Sequence, residues 1–242
     1  MRTSRFAWVG VVVAAVWGPG SAAAQPVRVG FDFGNFTTVS FGTTAGAPGV
    51  AQTNWNADTG NGVSGLSGQH DSNATPLFSP TTAISYNAAG GVGNLNTIAS
   101  GTTDPDQQLM RGFLDSGIGG TSVTVTGIHF ALYDLYIYTD GNNGAATTTG
   151  QYTANGITVT TTDLANTDYT NSYVVGQNYV VIPGLSGDLT LTATGSGGGF
   201  SSPINGIQLV ASPVPEPSSL ALLGIGGLGL VVRRRRAARR PA

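Results

Sequence analysis

Side chains able to perform metal or acid–base chemistry are few and scattered in this sequence. The two histidines, His70 and His129, lie 59 residues apart, and neither has a second His or a Cys at metal-ligand spacing. A zinc site is therefore not expected, and both histidines are predicted to lie at the surface or at a strand edge. The chain has no cysteine, which excludes disulfides and thiolate catalysis.

Hydrolytic chemistry has no clear residue set either. Ser64 lies in a Gly-Val-Ser-Gly-Leu stretch that lacks the second glycine of a nucleophile elbow. A glycosidase needs two carboxylates with separate acid and base roles, and the eleven aspartates show no such pairing in sequence. We therefore predict a protein that is not an enzyme. The alternative is a secreted hydrolase of matrix polysaccharide, which requires a cleft with two aspartates about 5–10 Å apart.

Calcium is the one metal that the composition leaves open, because aspartate, asparagine and backbone carbonyl oxygens are its usual ligands. Asp104 and Asp106 are one weak candidate pair, and Asp140 with Asn142 is the other. A helix cap explains the first pair equally well, and a tight turn explains the second. No metal site or other cofactor is therefore assigned from the sequence.

Sugar binding requires an exposed aromatic ring beside polar groups that pair with hydroxyls. Trp55 is flanked by two asparagines, and Tyr136 and Tyr138 share a strand face with Asp134. These three aromatic residues are the sugar-binding candidates. The alternative is core packing for Trp55 and an ordinary sheet surface for the two tyrosines.

The distribution of charge excludes nucleic acid as a partner. Residues 25–213 contain eleven aspartates and only two arginines, Arg28 and Arg111, and the chain has no lysine. The other arginines lie in the first five and the last ten residues. An acidic body between basic ends lacks the electrostatic basis for binding phosphate backbones.

Ten stretches rich in β-branched and aromatic residues are predicted as strands, since many alternate apolar and polar side chains. In 189–194, for example, Leu189, Leu191 and Ala193 alternate with threonines. The predicted strands are 27–33, 38–41, 83–87, 122–128, 132–138, 150–154, 157–162, 173–182, 188–194 and 205–210. Residues 42–82 between the early strands are read mainly as loops.

One helix is predicted, with Asp104 as its cap, Pro105 at its first position and its end before Gly117. Its apolar face would contain Leu109, Met110, Phe113 and Leu114. Ten strands and one helix predict an all-β fold, a jelly-roll-like antiparallel β-sandwich over residues 25–212.

The two ends predict export and anchoring. Residues 1–24 have two arginines, an apolar run and small residues before a cleavage position after Ala24, as in a secretory signal peptide. Residues 219–232 form an apolar segment of about 21 Å as a helix, short of a hydrocarbon core of about 30 Å, which local thinning can accommodate. Four consecutive arginines, Arg233, Arg234, Arg235 and Arg236, would remain in the cytoplasm and place the body outside.

The last 30 residues, 213–242, resemble the PEP-CTERM sorting signal of Gram-negative bacteria. The resemblance rests on Pro215, Glu216 and Pro217, on the glycine-rich apolar segment and on the terminal arginines. It implies that an exosortase-type membrane protease processes the chain after signal peptidase has acted. The body would then reach the cell surface or the extracellular matrix.

The body resembles the jelly-roll bodies of proteins that carry this tail, through 31–33, 54–56, 133–138 and 204–209. The resemblance implies a fold like that of galactose-binding and other carbohydrate-binding modules, and it does not imply sugar binding. The two sorting signals, the acidic polar body and the lack of a catalytic residue set predict a structural or adhesive protein with weak affinity for exopolysaccharide. A third hypothesis, an ice-binding surface, requires a flat array of regularly spaced threonines.

Overall fold

The computed structural model describes residues 26–34, 38–40, 42–57, 69–77, 82–196 and 202–212. These residues form twelve strands and one helix. In chain order the elements are β1 (Arg28–Asp32), β2 (Asn56–Ala57), β3 (Ala83–Ala88), β4 (Gly91–Asn94), α1 (Pro105–Arg111), β5 (Gly112–Asp115), β6 (Thr121–Thr126), β7 (Tyr133–Tyr138), β8 (Thr148–Ala154), β9 (Ile157–Asp163), β10 (Tyr179–Leu185), β11 (Leu189–Ser196) and β12 (Gly206–Ala211).

Two five-stranded sheets form the sandwich. The first has the order β10-β7-β12-β1-β2, the second has the order β3-β6-β11-β8-β9, and β4 pairs with β5 in a separate two-stranded sheet. All pairings are antiparallel except β1 with β2. From β6 onward the chain crosses repeatedly between the two large sheets, as in a jelly roll. The predicted all-β antiparallel fold with one short helix is confirmed.

The main core lies between the two large sheets, and period-2 alternation supplies it. Leu189, Leu191 and Ala193 of β11 are buried there, and so are Leu135 and Ile137 of β7. The side chains between them on β11, Thr190, Thr192 and Thr194, are exposed. Alternation in sequence therefore identifies the buried face of this strand directly.

A second core covers the outer side of the first sheet. The helix supplies Leu109 and Met110, the loop before β2 supplies Val50 and Trp55, and β7 supplies Tyr138. The sequence predicted that this side of β7 would be polar and open. The face is covered instead because the 42–57 loop and the helix pack across it. The apolar face of the helix is visible in its sequence, whereas the loop has no period that shows its contact with the sheet.

The structure also corrects three element boundaries. The helix ends at Arg111, and Gly112 is already extended with φ −92 and ψ 151, so Phe113 and Leu114 belong to β5 rather than to the helix. Residues 38–40 are not a strand, and the Val39 amide donates to Asp32 Oδ2 at 2.8 Å. The strand predicted from residue 173 begins only at Tyr179.

Candidate functional site

The outer face of the second sheet carries mainly uncharged polar side chains, most of them exposed; half-buried Ala83 also lies on it. We call it the threonine face. It consists of Ser85, Asn87, Ser122, Thr124, Thr126, Thr149, Gln151, Thr153, Thr158, Thr160, Thr162, Thr190, Thr192 and Thr194.

Strand register orders these side chains in rows. The row Asn87, Ser122, Thr192, Thr153 and Thr158 runs across all five strands, each residue directly opposite the next. Neighbouring strands lie about 4.8 Å apart, and alternate residues along a strand about 6.8 Å apart. The face is therefore a two-dimensional array of hydroxyl and amide groups.

Few of these groups use their hydrogen bonds on one another. Thr153 Oγ1 lies 2.8 Å from Thr158 Oγ1, and Thr194 Oγ1 lies 3.4 Å from Gln151 Oε1. Within the described ranges, the other hydroxyls of the threonine face make no side-chain hydrogen bond to one another. Alternation in 189–194 indicated the polar side of β11, but the continuity of the face across five strands depends on pairing between distant segments.

Two of the three predicted sugar-binding aromatic residues lie inside the second core. Trp55 is 3% exposed, and its Nε1 donates to the Ala45 carbonyl at 3.1 Å. Tyr138 is fully buried; its hydroxyl accepts from the Ala47 amide at 2.9 Å and donates to Gln208 Oε1 at 2.8 Å. The prediction that Trp55 and Tyr138 offer a stacking surface for sugars is wrong.

Tyr136 occupies a different environment from the other two rings. It is half-buried at the edge of the second core and stacks on Tyr179, with ring centroids 6.4 Å apart and an interplanar angle of 10°. Burial, followed by the charge of Asp134, raises the pKa of Tyr136. Sugar binding at Tyr136 stays a prediction.

The first calcium candidate is explained by the helix. Asp104 Oδ1 accepts from the amides of Asp106 at 3.0 Å and Gln107 at 3.2 Å, so this carboxylate is the N-cap of α1. Asp106 Oδ1 accepts from the Gly46 amide at 2.8 Å and from the Tyr173 hydroxyl at 2.9 Å. One oxygen of each carboxylate is therefore used by donors within the protein.

The two residues of the second calcium candidate, Asp140 and Asn142, lie in different environments. The Asn142 side chain is used by the backbone, since its Nδ2 donates to the Asn94 carbonyl and its Oδ1 accepts from the Asn96 amide at 2.9 Å. Asp140 is 2% exposed, and its Oδ2 accepts from the Tyr169 amide at 2.7 Å. Asp140 thus belongs to a different group of residues from Asn142.

That group is an acidic cluster where the loop after β7 meets the loop after β9. We define the acidic loop cluster as Asp140, Asn143, Asp163 and Asp168. Burial, followed by the charge of Asp163, raises the pKa of Asp140 to about 8. Burial, followed by the charge of Asp168, raises the pKa of Asp163 to about 7. Asp168 also lines an open polar cleft with Asn166, Thr170, Ser172, Gln177 and Asn178.

Several predictions concern residues outside the described part of the chain. These are the cleavage position at Ala24, the apolar segment 219–232, the Pro215, Glu216 and Pro217 motif, and the arginines at 233–236. Within the described ranges, no helix is long and apolar enough to cross a membrane. Across the same ranges, no three His, Asp or Glu side chains are grouped so that they could hold a metal ion.

Residues 213–236 match the PEP-CTERM protein-sorting motif. The chain therefore carries this motif, which implies export, C-terminal membrane anchoring and then processing by exosortase, a membrane protease. The motif thus implies an exosortase-sorted surface protein.

No curated protein matches the chain significantly. Among solved structures, a family 35 carbohydrate-binding module from Clostridium thermocellum shares 15% identity, with coverage of 50% of this chain and 91% of that one and a TM-score of 0.32. An exo-β-1,3-galactanase from Phanerochaete chrysosporium shares 13% identity, with coverage of 51% of this chain and 26% of the enzyme and a TM-score of 0.29. Neither likeness supports an assignment of activity.

Proposed function

We propose that this protein is a non-enzymatic component of the cell surface or extracellular matrix that binds uncharged polysaccharide through the threonine face. The observation that carries the binding proposal is the array of fourteen neutral polar side chains on one sheet face, eleven of them exposed and Ser122, Thr124 and Thr153 half-buried. The sorting motif supports the location, because it directs the chain out of the cytoplasm.

The chemistry of the threonine face fits a neutral sugar polymer. Hydroxyl and amide groups both donate and accept hydrogen bonds, as sugar hydroxyls do, and the threonine methyl groups can contact sugar C–H faces. A body with eleven aspartates and two arginines would repel an acidic polymer. Individual contacts of this kind are weak, so affinity would come from many contacts along one chain.

The shape of a β-sheet favours a flexible polymer over a rigid surface. Adjacent strands in a sheet are rotated by about 20–25° relative to one another, so five strands form a twisted surface. A polysaccharide chain can follow such a twist along one or two rows of side chains.

The roles of the aspartates support a non-enzymatic function. Asp71 Oδ1 accepts from the amides of Asn73 and Thr75, both at 2.8 Å. Asp188 accepts from the Gly127 amide at 2.8 Å, and Asp134 accepts from the Gly184 amide at 2.9 Å. These carboxylates hold turns and loop connections.

The topology completes the proposal. Signal peptidase would cleave after Ala24, and the arginines at 233–236 would hold the C-terminus in the cytoplasm until exosortase acts near Pro215, Glu216 and Pro217. The processed body would then be placed on the cell surface or in the matrix, next to exopolysaccharide.

The proposal is tested by binding of the full exported chain, purified in detergent, to a panel of neutral and acidic polysaccharides with and without Ca²⁺. We expect retention by a neutral polysaccharide and loss of at least tenfold in affinity for Thr192→Asp, which places a charge in the middle of the face. Thr44→Asp is the matched control, because Thr44 is exposed in the loop on the opposite side of the sandwich. Absence of binding to every polysaccharide, or equal losses in both variants, would refute the binding site.

The hydrolase alternative is supported by one observation: Asp163, whose pKa is raised to about 7, lies close enough to Asp168 for their charges to interact, and Asp168 lines the open polar cleft. A glycosidase requires two carboxylates near each other. Release of reducing sugar ends from any bound polysaccharide, abolished by Asp163→Asn, would replace the non-enzymatic proposal with this one.

Ice binding is a second candidate, because the regularly spaced threonines that it requires are present on the threonine face. The twist of the sheet counts against a planar ice lattice. An ice-recrystallisation assay decides between polysaccharide binding and ice binding. If the protein inhibits ice recrystallisation, and Thr192→Asp removes this inhibition while Thr44→Asp preserves it, ice binding is favoured.

A further inference from the structure

The loops after β7 and β9 are joined by backbone contacts that bring the acidic loop cluster together. The Asn166 amide donates to the Gly144 carbonyl at 2.6 Å, and Asn143 Nδ2 donates to the Leu164 carbonyl at 3.0 Å. The Tyr169 amide donates a hydrogen bond to Asp140 Oδ2 at 2.7 Å. Residues that are far apart in sequence therefore share one buried environment.

Three oxygen atoms in this environment lack a hydrogen-bond donor. Asp140 Oδ1, Asn143 Oδ1 and Asp168 Oδ1 are all buried, and none has a partner among the described residues. Buried acceptors are normally satisfied, so each of these oxygen atoms requires a partner such as a water molecule or a bound ion. Asp140 makes the strongest case, because its side chain is 2% exposed and one carboxylate oxygen is unused.

The cluster also lacks a cation from the protein. Asp140, Asp163 and Asp168 supply three carboxyl groups. The two arginines in the described residues, Arg28 and Arg111, donate hydrogen bonds to backbone carbonyls in other loops. The Arg28 guanidinium donates to the carbonyls of Gly49 and Ala51, each at 3.3 Å, and Arg111 Nε donates to the Ile98 carbonyl at 3.3 Å. With no protein cation among the described residues to offset them, these neighbouring carboxyl groups favour an external cation.

The donor atoms select the kind of cation. All three unpartnered atoms are carboxylate or amide oxygens, which suit a hard cation and not zinc or copper. The acidic side chains are not grouped tightly enough to hold an ion by themselves, so the amide oxygen and water must complete the shell. Calcium accepts such irregular, partly hydrated shells, whereas magnesium requires near-ideal octahedral geometry.

We propose that the exported protein binds one Ca²⁺ at the acidic loop cluster, with Asp140, Asn143 and Asp168 as its protein ligands. The ion joins the loop after β7 to the loop after β9 and orders the polar cleft beside Asp168. Calcium-binding modules outside the cell commonly work at about 0.1–1 mM, so a site of this affinity fills after export. The site lies at the end of β9, where Asp163 follows Thr162 of the threonine face, but its proposed ligands are not on that face, so its occupancy does not depend on polysaccharide.

The test is thermal unfolding of the full exported chain, purified in detergent, with 0–10 mM CaCl₂ or MgCl₂ after treatment with EDTA. We expect Ca²⁺ to raise Tm by several degrees with half of the effect near about 0.1–1 mM, and Mg²⁺ to have little effect. Tb³⁺ luminescence excited through tyrosine provides a direct binding signal that Ca²⁺ should displace.

Two variants and a control assign the signal to the site. Asp168→Asn and Asp140→Asn should each remove most of the Tm shift and of the Tb³⁺ signal. Asp168 is half-exposed, so Asp168→Asn still tests the proposed Ca²⁺ site if Asp140→Asn folds poorly. Asp188→Asn, at a turn that holds the Gly127 amide, should behave like the wild type. No Tm shift with Ca²⁺, an equal shift with Mg²⁺, or a shift that both variants retain would overturn the proposal.

Discussion

The ring of Trp55 contacts the ring of Tyr138 edge to face, with centroids 5.7 Å apart and an interplanar angle of 71°. Both residues are buried, and Trp55 is supplied by a loop while Tyr138 is supplied by the central β7 strand. The pair therefore fastens the 42–57 loop to the first sheet. Its role is packing, and it leaves the threonine face as the extended polar surface of the sandwich.

Tyr138→Phe should lower stability without affecting polysaccharide binding. The change leaves the Ala47 amide and Gln208 Oε1 without their buried hydroxyl partner. We expect the free energy of unfolding to fall by about 1–3 kcal/mol, measured by urea denaturation. Tyr136→Phe is the control, since Tyr136 is half-buried, and should change stability by less than about 0.5 kcal/mol. Equal stabilities of Tyr138→Phe and the wild type would contradict this packing role.

Gly30 has a steric role that is independent of backbone conformation. A Cβ at this position would lie 2.7 Å from both Gln52 Nε2 and Trp55 Cε3. Gly30→Ala should therefore destabilise the protein by about 1–3 kcal/mol through overpacking. Gly101→Ala, where nothing lies within 4 Å of the new Cβ, is the matched substitution and should be nearly neutral in the same urea titration. If the two variants are equally stable, the claim that the 42–57 loop packs closely against Gly30 of β1 is contradicted.

Stability without calcium should fall as pH rises from about 4 to about 8. Burial raises the pKa of Asp140 from its ordinary 3.8 to about 8, so in this range the folded state holds a proton that the unfolded state has lost. Burial likewise raises the pKa of Asp32 to about 8, and that of Asp163 is raised to about 7, which adds to the same trend.

The measurement is urea denaturation in EDTA at pH 5 and pH 8. The wild type should be more stable at pH 5, and Asp140→Asn should reduce the difference because it removes one titrating carboxyl. Asp188→Asn should retain the wild-type difference. Higher stability at pH 8 than at pH 5 would be inconsistent with buried, protonated aspartates.

Processing should depend on Glu216, the only glutamate in the chain. Glu216→Ala should cause the unprocessed form to accumulate at the membrane, detected by immunoblot as a slower-migrating band. Ser218→Ala changes a neighbouring residue of similar size and should leave processing normal. Normal processing of Glu216→Ala would exclude this carboxylate from recognition.

Local sequence patterns predicted the parts of the fold that local physics determines. Alternation in 189–194 identified the buried side of β11, and Asp104 with Pro105 located the start of α1. The end of the helix was misplaced because Phe113 and Leu114 continue its apolar pattern, although they pair as β5 with β4. That pairing is made by tertiary contacts across an intervening helix, and no local signal predicts it.

The candidate sites illustrate the same limit. The Asn-flanked Trp55 has a composition suited to sugar binding, but a loop whose sequence has no period buries it. The threonines of β8, β9 and β11 are visible one strand at a time, whereas their common face depends on strand register. Asp140 was noted as a calcium candidate, yet its partner Asp168 is brought near by a loop that sequence spacing does not pair with it.

The central claim is that the acidic body lies outside the cytoplasm while the arginine tail is retained inside until processing. It is tested by inserting one epitope at Gly144, which is exposed in a loop, and another after Ala242, then probing intact and permeabilised cells with antibodies. We predict that the Gly144 epitope reacts on intact cells, and that the C-terminal epitope reacts only after permeabilisation and is lost from the processed form. A C-terminal epitope reactive on intact cells, with the Gly144 epitope protected, would contradict the account.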